Sequence, residues 1–414
     1  MRENTPRFIT TALVSIVLAG GLAGQAAAAG FKLDAAAEKK VDAEAQRYID
    51  EHISAGVAIG IMSEGKIIYA KGFGLANLET GTKVTPDSVF QLGSMTKQFT
   101  AAAVVLLSEQ GKLGIDDPLS KYFPDFPRAN EVTIRELLNH TSGIHSILMP
   151  GAPPTAEQAV NVHSTADVIA LIQGQQNLYE FEPGTSRRYS NSGYFLLGGI
   201  VEKVSGVPFG DFLQQNIFSR AGMTATALDK QTEVVPHRAS GYDHVPGSDI
   251  YTHPTLANDI GGGGAGGVRS TVGDMLRWQD ALLAGRVVSA AGVKAMTAVG
   301  VLKNGQPALG PRYGFGLQVG QDNGQESVYH GGGGPGFAGE FKFYPNDHVA
   351  YVVLINVGAP QGPPPSGPNP GPPAAASNAG PSASTPRRMQ APPAIALSRF
   401  LTETITGVPS PGSR

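Results

Sequence analysis

Between Ala36 and Ile53 the apolar residues recur at helical spacing, with Val41, Ala45, Tyr48, Ile49 and Ile53 on one face and charged residues around them. The period then changes. Val57–Met62 and Ile67–Phe73 are short strand-like runs around Ser63-Glu64-Gly65-Lys66, which predicts a hairpin. Ser94 to Gln110 reads as a helix that is apolar almost all round and stops at Gly111, so it is expected at the centre of the molecule.

From Ile115 to about Ala257 the pattern is mostly helix and loop. Thr133-Ile134-Arg135-Glu136 forms a capping box for a helix ending near His140, and a helix from Asn191 continues through Phe195 to Val204. Ser270–Leu283 predicts one more helix. Strand patterns return at Tyr313–Val319, Val328–His330, Phe337–Phe343 and Val349–Asn356; the last is apolar on both faces, as a central strand would be. A final helix is expected over Ala394–Ile405. Strands and covering helices thus come from both chain ends and helices from the middle. The fold class this predicts is α/β (α+β): an antiparallel sheet flanked by helices, with a mostly helical subdomain inserted at about 115–260. The cleft between the two is where a site is expected.

Composition adds boundaries. Arg2 and Arg7 precede an apolar stretch from Phe8 to Gly24 and the small residues Ala26–Ala29, the layout of a cleavable export signal over 1–29. The protein is therefore expected to be periplasmic or secreted, with no membrane span after cleavage. Pro360–Pro393 hold 12 of the 31 prolines, so 359–393 is expected to be an insert without a packed core. A catalytic domain over 30–358 would then be completed by the helix at 394–407. With 31 basic and 34 acidic residues, and no run of five like charges, there is no footprint for nucleic acid. Cysteine is absent, which excludes a disulfide framework, a thiol nucleophile and thiolate zinc sites.

Three short motifs carry chemistry. Ser94-Met95-Thr96-Lys97 places a hydroxyl and an amine three apart at a helix start, on one side, where a desolvated lysine can take the serine proton. The helix terminus also favours a developing oxyanion. Ser63-Glu64-Gly65-Lys66 fits the same pattern on an exposed turn; what singles out Ser94 is the apolar helix behind it, which forces Lys97 inward. Tyr189-Ser190-Asn191 supplies a phenol that can shuttle a proton and an amide that can bind a substrate carbonyl. Tyr344-Pro345-Asn346 matches as well, at a strand turn. His330-Gly331-Gly332-Gly333 ends an apolar strand, and its glycines let a substrate lie along the backbone.

In this order and at these element boundaries, the three motifs resemble the serine β-lactamase and penicillin-recognising family, within it the class C β-lactamase, D,D-carboxypeptidase and esterase branch. Leu137–Ile144 (LLNHTSGI), Phe181–Gly184 (FEPG) and His330–Phe337 support the resemblance, which covers roughly residues 36–358 and the terminal helix. It implies a β-lactamase/transpeptidase-like fold and a nucleophilic Ser94 that is acylated. Lys97 and Tyr189 would exchange its proton, either one being the base, as a coupled pair. Asn191, His330 and Gly332 would hold the substrate, and the backbone amides of Ser94 and Gly333 would form the oxyanion hole. The third motif departs from the β-lactamase pattern, with His330 in place of lysine and Gly331 in place of a hydroxyl residue. That weakens carboxylate recognition and ranks esterase or D-amino-acid-type peptidase above β-lactamase. An ordinary imidazole at 330 would make binding depend on pH between about 5 and 8.

The expectation is an exported serine hydrolase acting through an acyl-enzyme on a small ester or peptide, without cofactor or metal. A β-lactamase is the alternative, and a penicillin- or peptidoglycan-binding sensor that acylates without turnover is the reading from another class. Gly261–Gly267 and Gly331–Gly336 satisfy G-x-G-x-x-G but lack a βαβ setting, and are read as flexible cleft walls. His140 and His145 bracket a turn and are read as capping and packing residues. Asp116-Asp117-Pro118 and Trp278 are read as turn and core.

Overall fold

Alternation along the strands decides the architecture. The computed structural model describes residues 31–147, 164–230, 232–245, 248–254, 263–322, 324–358 and 392–407. The expected export signal and nearly all of the proline-rich insert lie outside them. Helix α1 (Ala35–Asp50) is capped by Asp34 and leads into β1 (Gly56–Ser63), β2 (Lys66–Asn77) and the short β3 (Thr82–Lys83). Four more strands come from the other end: β4 (Gln318–Asp322), β5 (Gln325–Gly334), β6 (Phe337–Tyr344) and β7 (Val349–Ile355). They form one seven-stranded sheet, β3-β2-β1-β7-β6-β5-β4, in which every neighbouring pair is antiparallel. The two chain ends meet where Val57 faces Ile355.

Both faces of this sheet are covered, so its central strands are buried throughout. Val57, Ile59, Ile61, Tyr351, Val353 and Ile355 point to an outer core with Val41, Ala45 and Tyr48 of α1. Leu397 and Leu401 of the closing helix, Pro393–Thr406, complete that layer. Each buried leucine there is worth about 1.5–3 kcal/mol. The alternate residues Ala58, Phe341, Phe343, Val352 and Leu354 face the larger inner core.

The inner core is built around helix α2 (Lys97–Glu109), whose residues from Lys97 to Leu107 are all buried. A 3₁₀ turn, Gly93–Thr96, leads into it, so the expected helix from Ser94 starts with a tighter turn. Around α2 stand α3 (Ile134–Leu138), α4 (Thr165–Gln173) and α5 (Asn191–Ser205), followed by α6 (Gly263–Gly266), α7 (Val272–Leu283) and α8 (Ala290–Thr297). The capping box at Thr133 and Glu136 is formed. Trp278 of α7 is fully buried and donates to Gln98 Oε1 of α2 at 2.6 Å.

One expected strand moves. Tyr313–Leu317 is a buried loop, with Gly314 N–H donating to the Leu317 carbonyl and Gly316 at φ +70°, and the strand starts at Gln318. Its apolar alternation records burial against the inner core, which a strand and a packed loop share. Among the described residues no helix is long and apolar enough to cross a membrane.

Candidate active site

The start of α2, the start of α5 and strand β5 converge although nearly 240 residues separate Ser94 from His330. Ser94 lies on the 3₁₀ turn and Lys97 opens α2, so their side chains share one side and Lys97 Nζ sits 3.1 Å from Ser94 Oγ. Lys97 is fully buried. Its Nζ donates to Asn191 Oδ1 at 2.8 Å and to the Ala265 carbonyl at 2.7 Å. Burial drives the amine pKa well below the ordinary lysine value, with no carboxylate among the described residues to offset it.

Ser190 caps α5, and Asn191, the first helical residue, points its amide back at Lys97. The Tyr189 ring centroid lies 4.8 Å from Lys97 Nζ. Its hydroxyl is buried without a hydrogen bond of complete geometry. Burial raises the phenol pKa, against a smaller downward pull from the Ser94 hydroxyl. Tyr189 is therefore a neutral phenol beside the serine.

Strand β5 closes the third side. A side chain at Gly332 would overlap the Leu92 carbonyl, so only glycine lets this strand run backbone to backbone against the turn that carries Ser94. Gly93, at φ +53°, meets the backbone of Gly333 in the same way. The Ser94 amide belongs to the first turn of a helix, where backbone N–H groups lack intrahelical acceptors. These contacts set the Gly333 backbone next to the turn.

His330 departs from the expectation. It is buried, and its Nδ1 lies on the Gly331 carbonyl while Nε2 lies 3.0 Å from the Tyr313 hydroxyl. A carbonyl only accepts, so Nδ1 carries the proton and Nε2 accepts from Tyr313. Burial, with Lys97 nearby, lowers its pKa to about 3. The imidazole thus stays neutral between pH 5 and 8, the expected pH window does not arise from it, and it offers no cation to a substrate carboxylate.

Four participants have no chemical role in the reading of the sequence. The Ala265 carbonyl belongs to the glycine run read as a flexible wall; the described part of that run, α6, is instead a helical turn packed on α2 and α5. Tyr313 was counted as a strand residue. Tyr194, on the same face of α5, brings its ring centroid to 5.5 Å from Lys97 Nζ and donates to the Leu138 carbonyl. His140 packs as expected, but against Tyr189, with ring centroids 4.4 Å apart. An i, i+3 reading from Asn191 would have found Tyr194; nothing local marks the Ala265 carbonyl. The rival motifs lie elsewhere: Glu64, Gly65 and Lys66 are exposed, and Tyr344 contacts Asp322 and Thr402.

Comparison with known proteins identifies the family. The family model described as Beta-lactamase matches residues 17–368. A penicillin-binding protein of Bacillus subtilis is 32% identical over 304 residues, covering 70% of this chain and 66% of that one. A D-aminopeptidase of Gluconobacter oxydans is 26% identical over 305 residues, covering 73% and 55%. The D-amino acid amidase of Ochrobactrum anthropi, solved with D-phenylalanine, superposes with a TM-score of 0.65 at 26% identity, covering 77% of this chain and 92% of that structure. The chain spans about two thirds or less of the length of these two curated relatives.

Proposed function

The chain belongs to the beta-lactamase family, and from that premise we propose that it is an exported serine hydrolase working through an acyl-enzyme on an ester or amide, as an esterase or D-amino-acid-type peptidase. The observation that carries this is the triple contact of Lys97 Nζ. Asn191 Oδ1 and the Ala265 carbonyl can only accept, so they take two N–H bonds. In the free amine that burial favours, the lone pair is left facing Ser94 Oγ. Lys97 then takes the hydroxyl proton as Ser94 Oγ attacks the substrate carbonyl carbon. The tetrahedral oxyanion is held by the amides of Ser94 and Gly333. The neutral Tyr189 phenol gives its proton to the leaving oxygen or nitrogen as the bond to the acyl carbon breaks, and is reprotonated from Lys97. Water then attacks the ester on Ser94 with the proton transfers reversed, releasing the acid.

The substrate class follows from what the cleft lacks. A neutral His330 and a Gly331 without a hydroxyl remove the groups that would grip a β-lactam carboxylate, so penicillin hydrolysis is the weaker reading. The names of the D-aminopeptidase and D-amino acid amidase relatives support a D-amino-acid amide or peptide. Residues 1–29 are proposed as the export signal, 30–358 with 394–407 as the catalytic domain and 359–393 as its insert. Rates on p-nitrophenyl esters, D-alanyl peptides and nitrocefin test the reading. The expected order is esters and D-alanyl peptides above nitrocefin, with all turnover lost in Ser94→Ala. Turnover that survives in Ser94→Ala refutes it, and a lasting adduct without turnover supports the sensor reading instead.

A further inference from the structure

Ser94 and Lys97 share one rigid helix start, whereas Tyr189 lies in a segment, 186–190, that belongs to no helix below Asn191 and no strand, with Ser190 in extended backbone. Something else must hold its phenol in place. The amides on either side of it have the same partner: Arg188 N–H donates to the His140 carbonyl at 3.0 Å, and Ser190 N–H donates to His140 Nδ1 at 3.2 Å. In extended backbone, amides two residues apart point to the same edge. His140 therefore stands in for a neighbouring strand, offering one backbone and one side-chain acceptor in succession. It does so from a left-handed conformation, φ +64°, which histidine adopts more readily than most residues. The same imidazole lies against the rings of Tyr189 and Tyr313, at centroid distances of 4.4 Å and 4.5 Å, and fixes the tilt of the phenol.

The protonation state fits the clamp. A backbone amide only donates, so Nδ1 must be unprotonated and the ring neutral with its proton on Nε2. Burial first, then the nearby Lys97, His330 and Arg187, push the His140 pKa well below the ordinary imidazole value. Nε2 is buried and has no hydrogen-bond partner among the described residues. A buried ring nitrogen left unsatisfied needs an explanation, and the bond made by the other nitrogen supplies one.

We propose that His140 is a positioning residue that aims the Tyr189 hydroxyl at Ser94 by giving its carbonyl and Nδ1 to the amides flanking the tyrosine. The inference rests on the reading of Tyr189 as the proton-transferring phenol. In its terms, the histidine of the LLNHTSGI segment acts on the reaction only through Tyr189. Misplacing a reacting group by about 1 Å costs on the order of 10²-fold in rate.

The test is a double-mutant cycle on p-nitrophenyl acetate with kcat and KM measured separately, using wild type, His140→Phe, Tyr189→Phe and the double variant. His140→Phe keeps a ring but removes the Nδ1 acceptor. It is expected to lower kcat roughly tenfold or more, with KM within about twofold, and to cost less than about twofold once Tyr189 is already phenylalanine. His140→Asn keeps an acceptor near the Nδ1 position and tolerates the left-handed backbone, and is expected to retain more kcat than His140→Phe. Equal losses in both tyrosine backgrounds, or a loss carried by KM, overturn the proposal. If His140→Phe does not fold, the cycle is read under the same criteria with His140→Gly, which removes the Nδ1 acceptor and accepts the left-handed backbone. A Tyr189→Phe variant as active as wild type refutes the function reading itself; an impaired one with an additive cycle refutes only the role of His140.

Discussion

The central sheet carries a buried polar cluster on each side, and the two are built to opposite rules. On the outer side, Glu340 of β6 accepts from Ser398 of the closing helix, and Tyr351 of β7 contacts Ser398 and Thr402 at 2.6 and 2.9 Å. Lys342 and Tyr344 reach Asp322 and Thr402. No side-chain atom of these residues is left buried without a partner. On the inner side, Lys97 is fully buried with its pKa lowered by burial alone, and among the described residues His140 Nε2 has no hydrogen-bond partner and Tyr189 Oη has only the nearby Ser94 hydroxyl. A saturated cluster fastens a helix to a sheet. An unsaturated one holds groups in states that water would not leave them in, which a reaction can use.

Removing groups one side at a time should separate activity from stability. Lys97→Met is expected to lower kcat/KM on p-nitrophenyl acetate by about 10³-fold or more while the melting temperature holds or rises, since an unpaired buried amine costs stability. Glu340→Ala should do the reverse. It leaves Ser398 short of an acceptor in the dry outer layer, and urea unfolding should show a loss of about 2–4 kcal/mol with kcat/KM within about twofold. Activity lost in Glu340→Ala at unchanged stability would erase the contrast.

A change of pH probes the inner side without a substitution. His140 and His330 have folded pKa values below the unfolded value of about 6.5, so their contribution is complete above pH 6.5. It declines as the pH falls, by up to about 1.4 kcal/mol per histidine per unit, ending for His330 near its folded value of about 3. Glu340 has its carboxyl pKa raised by burial, so its contribution is complete below the unfolded carboxyl value and is lost as pH rises through the folded one. Melting temperature followed from pH 7 to 4 should therefore fall, and fall more steeply in Glu340→Gln, which removes the opposing group. A flat profile would mean that the imidazoles are not held neutral. The smallest effect is expected from His330→Lys. It sets a second amine near Lys97 and strips Tyr313 of its acceptor, so stability should drop by about 1–3 kcal/mol, while binding of carboxylate-bearing substrates tightens; unchanged discrimination would mean that this position does not read the carboxylate.

Much of the outer side was legible from local pattern. The apolar runs of β1, β6 and β7 mark strands buried on both faces, and the apolar stripe after Pro393 gives the closing helix. Ser94, Lys97, Tyr189 and Asn191 could be named because each motif is short and local: a three-residue helical spacing and a helix cap. What escaped was non-local. The charge of His330 depends on burial and on Lys97 nearby, neither of which the Gly-rich motif encodes. The Ala265 carbonyl reaches Lys97 only once α6 has packed on α2, and any residue type carries a carbonyl. Tyr313–Leu317 was read as strand because buried loops and strands share apolar alternation.

Whether Ser94 and Lys97 act as one unit is decided by the covalent intermediate. The protein is mixed with p-nitrophenyl acetate, quenched in acid within the first turnover, digested and mapped by mass spectrometry alongside Lys97→Met. The expected result is a single acetyl group on the peptide that contains Ser94 in the wild type and none in the variant. Acetylation at another residue, or equal labelling of Ser94 without the amine, would contradict the account.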